Sequence, residues 1–195
     1  MNKILGFGCM RLPLLDKKNK TTVDLEQLKK MVDAFLAKGF CYFDTAYMYH
    51  NFMSEIFVRK ALVERYSREK FLLATKLPLS FLRSEEDLER IFLEQLEKCG
   101  VDYFNWYLLY NLNRRSLDVA KKFNCFDFIR QKKAEGKIRN IVFSYHDQAD
   151  LLDEILIAHS EFDGVQLQIN YLDWESLNVQ SRKCYETALK HGKKL

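Results

Sequence analysis

The chain has 195 residues, 48% hydrophobic, 14% aromatic and 30% charged. That composition excludes a disordered chain, which could not repay its conformational entropy. Lys and Arg (31) barely exceed Asp and Glu (27), for a net charge of +4, and the signs alternate along the sequence, so no nucleic-acid partner is implied. No apolar run approaches the ~18 residues of a membrane span, and Met1 to Pro13 lacks a signal-peptide layout. One domain over residues 1–195, cytoplasmic and with no membrane partner, is the expectation.

Six runs read as strands: Ile4 to Met10, Phe40 to Asp44, Phe71 to Lys76, Trp106 to Tyr110, Ile138 to Ser144 and Gly164 to Asn170. Helical periodicity fills the intervals at Asp24 to Lys38, Met53 to Arg65, Ser84 to Cys99, Leu117 to Ala134, Gln148 to His159 and Ser176 to His191. Gly39, Gly100, Gly136 and Gly192 each close a Lys/Glu-rich helical segment, the usual place for a left-handed glycine. Ser84, with Asp87 three residues on and Glu85 and Glu86 beside it, marks a helix start where acids favour the dipole. The middle strands are apolar throughout, as parallel strands covered on both faces require.

Strand and helix alternating about every 30 residues predict an α/β fold with a parallel sheet. Gly6 and Gly8 lack the third glycine of a dinucleotide fingerprint, and no helix follows them directly. This favours a (β/α)8 barrel over an open doubly wound sheet. Six βα units fit into residues 1–195, so the barrel is expected to be incomplete.

Cys9, Cys41, Cys99, Cys125 and Cys184 are an odd number with no CxxC pair. Reduced, mostly buried thiols are therefore expected, rather than disulfides, a zinc site or an iron–sulfur cluster.

Chemistry in parallel α/β folds gathers at the carboxyl ends of strands. Those ends carry Asp44 and Thr45, then Tyr47, Tyr49 and His50; Thr75 and Lys76; Tyr110 and Asn111; Ser144, Tyr145 and His146; and Gln166, Gln168 and Asn170, which share one face at period two. A lysine closing the apolar run FLLATK needs a counter-ion, and Asp44 is one strand away. A phenol beside that ammonium is a better acid, so Tyr49, Lys76 and Asp44 read as proton donor, helper and orienting group. From spacing alone, a buried ion pair with tyrosines packed nearby is the simpler reading. A third reading, Lys76 as a Schiff-base lysine, needs a depressed pKa that Asp44 opposes.

FDTAYMY (Phe43 to Tyr49) followed by Glu55, ATK at Thr75 and Lys76, and CGVDYFNWYLLY (Cys99 to Tyr110) resemble the aldo-keto reductase family in order and spacing. GFGCMRLP, FSYHD and QLQINYLDW are similar to a bacterial branch whose members often carry a C-terminal iron–sulfur extension. The resemblance implies NADP(H)-dependent reduction of a small carbonyl substrate. Asp44, Tyr49 and Lys76 then match three members of a catalytic tetrad, with Tyr49 as general acid. Ser144 and Gln166 match the positions that hold the nicotinamide carboxamide, with His146 beside them. Tyr110 stands where the tetrad has histidine, and Asn105 where the family usually has aspartate. Strands seven and eight, which supply most phosphate contacts in the family, and the cysteines of the branch's cluster do not occur before Leu195. The chain thus looks C-terminally truncated. Weak NADP(H) binding, low activity of the isolated chain and no iron–sulfur cluster follow as expectations. The alternative is a non-catalytic fragment that self-associates or pairs with a complementary chain through open sheet edges.

Overall fold

A computed structural model describes residues 5–195, and its strands run in the order β1-β2-β3-β4-β5-β6. They are β1 (Gly6–Gly8), β2 (Tyr42–Asp44), β3 (Leu72–Leu77), β4 (Phe104–Leu112), β5 (Ile138–Tyr145) and β6 (Gly164–Leu167). The helices are α1 (Leu25–Ala37), α2 (Ser54–Val58), α3 (Glu86–Cys99), α4 (Arg114–Lys122), α5 (Cys125–Ala134), α6 (Ala149–Ala158) and α7 (Ser181–Lys190). Consecutive strand order is what a (β/α)8-type α/β fold with six units requires; a doubly wound sheet would place β1 between later strands. Among the described residues no helix is long and apolar enough to cross a membrane.

The packing falls into two compact units. The first comprises the described part of Met1–Pro78 with Glu89–Trp106. In it β1 pairs with β2, and β2 with β3, both in parallel. Phe43 is 1% exposed, and the rings of Phe7 and Phe43 lie 5.4 and 5.2 Å from that of Phe35. Each such burial contributes about 1.5–3 kcal/mol. Asp24 caps α1 by accepting from the Gln27 amide at 2.9 Å. After α2 the helix widens into a π turn, Arg59–Val63, within the predicted Met53 to Arg65 segment.

The second unit comprises Leu79–Leu88 and Tyr107–Leu195. Here β5 pairs in parallel with β6, over a core in which the Phe143 and Phe162 rings are 4.7 Å apart. Lys194 forms a parallel bridge to Gly164, and a Cβ on Gly164 would come within 2.7 Å of the Lys194 carbonyl oxygen.

All four predicted helix-closing glycines have positive φ, from 64° at Gly192 to 79° at Gly39. Other boundaries moved for local reasons. Of the predicted strand Ile4 to Met10, Ile4 lies outside the described residues, and Cys9–Arg11 turns into a 3-10 helix. The single helix predicted over Leu117 to Ala134 is two helices, broken at Asn124 (φ 53°), a residue whose short polar side chain tolerates the left-handed region. The sixth strand stops at Leu167, because the Asn170 side chain accepts from the Leu172 and Asp173 amides and folds the chain into a turn. Gln166, Gln168 and Asn170 therefore do not form one strand face as expected. The last helix starts at Ser181 rather than Ser176, behind Gln180 at φ 51°.

Candidate active site

In the first unit, strand register decides which side chains meet. Asp44 is the register partner of Ala74, and side chains two apart on a strand share a face, so Lys76 stands on the face of Asp44. The Lys76 ammonium donates to Asp44 Oδ1 at 2.5 Å and to the Thr45 carbonyl at 2.8 Å. Its side chain is 2% exposed and that of Asp44 14%. The ammonium also lies 5.1 Å from the centre of the Tyr49 ring. The predicted trio Asp44, Tyr49 and Lys76 is thus brought together. Burial, followed by the charge of Asp44, pushes the Cys9 thiol and the Tyr42 phenol up, so both stay protonated.

Directly after Tyr49 come three consecutive left-handed residues, His50, Asn51 and Phe52 (φ 52°, 52° and 68°). Non-glycine residues there cost about 1–2 kcal/mol each and persist only where surroundings hold them. His50 supplies part of the hold. Its Nε2 accepts from the Leu12 amide at 3.2 Å, and its Nδ1 sits 2.8 Å from the Lys20 carbonyl, which requires the Nδ1–H tautomer. His50→Ala is expected to cost about 1–3 kcal/mol and to speed hydrogen exchange at the Leu12 amide; an unchanged exchange rate there contradicts this.

Behind β3 lies a polar cluster. Glu55 is fully buried; its Oε1 accepts from Thr75 Oγ1 at 2.6 Å and Gln95 Nε2 at 2.9 Å. Gln95 Nε2 also lies 3.0 Å from the Lys76 carbonyl oxygen. Burial pushes the Glu55 carboxyl up to about 7 against the pull of these donors. Gln95 was missed in the sequence, although a signal existed: it interrupts the buried stripe Ile91, Phe92 and Cys99 of α3. At Asn105, the departure from aspartate is absorbed by the amide oxygen, which accepts from the Leu73 amide at 2.9 Å and from Arg68 Nη2 at 2.7 Å.

In the second unit, Tyr110 is half-buried on β4. The next residue, Asn111, takes φ 60° and donates its amide to Ser144 Oγ at 2.7 Å. Ser144 is 2% exposed and is the register partner of exposed Gln166 on β6. The predicted pair Ser144 and Gln166 thus lies side by side. The His146 amide donates to the Leu112 carbonyl at 3.1 Å; burial holds its imidazole below the usual range, opposed by a hydrogen bond with Gln168. A cavity of about 120 Å³ opens among His146, Asp147, Gln168, Ser181 and Cys184. Asn111, at the end of β4, has a buried Oδ1 with no hydrogen-bond partner.

A profile of the aldo/keto reductase family matches residues 4–195. No curated protein matches the chain. Among solved structures, an aldo-keto reductase of Bacillus halodurans in its holo form superposes with a TM-score of 0.71 at 24% identity, over 97% of this chain and 59% of that one. An aldo-keto reductase of Klebsiella pneumoniae in complex with NADPH gives 0.67 at 19% identity, over 96% and 60%. A Klebsiella pneumoniae structure with NADP and acetate gives 0.71 at 19%, over 96% and 60%. These likenesses bear on fold. The chain spans less than two thirds of the length of each of the three.

Proposed function

The chain belongs to the aldo/keto reductase family, and from that premise we propose that it serves NADPH-dependent reduction of a small carbonyl compound. The observation that carries this reading is the Lys76 ammonium, 2.5 Å from Asp44 Oδ1 and 5.1 Å from the Tyr49 ring centre. A positive charge beside a phenol favours the phenolate, so Tyr49 gives up its proton to a carbonyl oxygen more readily. Asp44 and the Thr45 carbonyl fix the ammonium that does this. Tyr110, where the family has histidine, retains one hydroxyl proton with which to meet a substrate oxygen.

Ser144 and Gln166 fit a carboxamide. The Ser144 oxygen already accepts from Asn111, which leaves its own proton to donate, and the Gln166 amide both donates and accepts. When bound, the nicotinamide cofactor supplies the hydride. Two such bonds are worth about 1 kcal/mol each, against roughly 4–15 kcal/mol lost on association. The 195 residues by themselves should accordingly bind NADPH weakly and reduce generic aldehydes near background, and Tyr110→His alone should not restore turnover. Fluorescence titration with NADPH checks this. A micromolar Kd would locate the affinity in Ser144, Gln166 and their neighbours after all; in that event Tyr49→Phe should lower turnover about 10²–10⁴-fold.

A second reading, a chain that pairs with a copy of itself, draws on Tyr171, Leu172 and Leu177, which are 96%, 82% and 78% exposed. Light scattering separates the two, since only this one requires a dimer.

A further inference from the structure

A buried carboxyl normally satisfies both oxygens. Glu55 does not: Oε1 carries the bonds from Thr75 and Gln95, while Oε2 is buried with no hydrogen-bond partner. An ionised carboxylate held this way keeps one oxygen unsolvated, which is costly. Its two partners touch the strand that carries Lys76. Thr75 precedes Lys76, and the Gln95 amide nitrogen lies 3.1 Å from Thr75 Oγ1 and 3.0 Å from the Lys76 carbonyl oxygen. An amide nitrogen has two protons, and here three acceptors compete for them: Glu55 Oε1, Thr75 Oγ1 and the Lys76 carbonyl. The Gln95 amide thus joins Glu55 to the Lys76 carbonyl, and a stronger pull from one side shifts it relative to the other.

We infer that Glu55 is a positioning residue for Lys76: through Thr75 and Gln95 its carboxyl sets the Lys76 carbonyl, and a change in its protonation is felt at the Lys76 ammonium. With the carboxyl ionised, Thr75 and Gln95 donate to it strongly. When Oε2 takes up a proton, Oε1 becomes a weaker acceptor and the Gln95 amide swings its donation toward the Lys76 carbonyl. The ammonium at the other end of that residue answers to Asp44 and the Thr45 carbonyl at 2.5 and 2.8 Å, so a small backbone adjustment changes its bonds. Burial places the change near neutral pH, where the carboxyl is pushed up to about 7. The other groups acting on Glu55 come from α3: Lys98 favours the ionised form, Glu94 opposes it, and Cys99 senses the same charge. Lys98 is already committed to Glu94 at 2.6 Å, which blunts its effect. The consequence for turnover rests on the reductase reading; the coupling does not.

The test is carbon-13 NMR of the full chain labelled at the glutamate carboxyl and the lysine ε-carbon, titrated from pH 5 to 9. Glu55→Gln and Lys76→Met assign the two resonances. One glutamate carboxyl should titrate near pH 7 instead of about 4.3, and the Lys76 ε-carbon should inflect at that same pH. In Gln95→Met the carboxyl should still titrate, while the Lys76 response falls at least twofold. A Glu55 carboxyl titrating in the ordinary range overturns the inference. So does a Lys76 resonance flat through the Glu55 transition, or a response undiminished in Gln95→Met. Should Glu55→Gln fail to fold, the unsubstituted chain and Gln95→Met decide alone. A purely structural Glu55 would alter stability without making Lys76 follow its proton. No readout needs turnover, so failure of the reductase reading would leave this result standing.

Discussion

Lys76→Met is expected to lose about 3–5 kcal/mol of folding stability at neutral pH, read from urea midpoints. Methionine keeps most of the stem volume, so packing changes little. What disappears is the ammonium facing Asp44 at 2.5 Å and the Thr45 carbonyl at 2.8 Å, in a place where the lysine side chain is 2% exposed. Asp44 then keeps a carboxylate in a largely dry site without its cation, which is the costly half of a broken buried pair. One consequence separates this from a simple packing loss. Asp44→Asn combined with Lys76→Met should be more stable than Lys76→Met alone, because the double variant has no unpaired charge. A loss below about 1 kcal/mol would mean that the pair contributes as little as an exposed one.

Glu55 should impose a pH dependence of the opposite kind from ordinary carboxylates. Its folded value of about 7 stands above the ordinary carboxyl value of 4.5, so the native state holds an extra proton between those limits. The stability it contributes is fully present below 4.5 and lost as pH rises through 7. At 1.36 kcal/mol per pKa unit this amounts to about 3 kcal/mol. His146 works against it, because burial holds the imidazole below its ordinary value; that contribution is present above about 6.5 and lost in acid. Asp33, Glu94 and Asp153, all held low by hydrogen-bonded cations or hydroxyls, lose stability only in stronger acid. The unsubstituted chain therefore shows a compromise, and Glu55→Gln removes one side of it. From pH 5 to pH 8 the unsubstituted chain should lose about 2.5 kcal/mol of urea stability relative to Glu55→Gln. A difference independent of pH would show that Glu55 titrates normally.

What could be read from the sequence was whatever local chemistry decides. Gly39, Gly100, Gly136 and Gly192 announced helix ends because a left-handed residue after a helix favours glycine, whatever packs around it. The βα rhythm gave the class, and the spacing of Asp44, Tyr49 and Lys76 placed a cation beside its carboxylate. Contacts distant in sequence stayed hidden. Gln95 looks like one more polar helical residue until the fold sets it against Glu55 and the Lys76 carbonyl. His50 reads as a loop histidine, yet it bonds Leu12 and Lys20, 38 and 30 residues away. Gln166, Gln168 and Asn170 showed a strand's alternation, but Asn170 prefers to cap its own turn, and local capping overrode the period.

The close approach of Gly164 and Lys194 turns one amide into a gauge of motion. Val165 donates its N–H to the Lys194 carbonyl at 2.9 Å, and the Lys193 ammonium is held by the Ser160 and Phe162 carbonyls at 2.7 and 2.9 Å. In deuterated water the Val165 proton exchanges whenever these last residues lift away, an event that need not disturb the β5–β6 ladder. Its exchange rate, set against that of a ladder amide on β5, therefore measures the free energy of that local opening separately from unfolding of the unit.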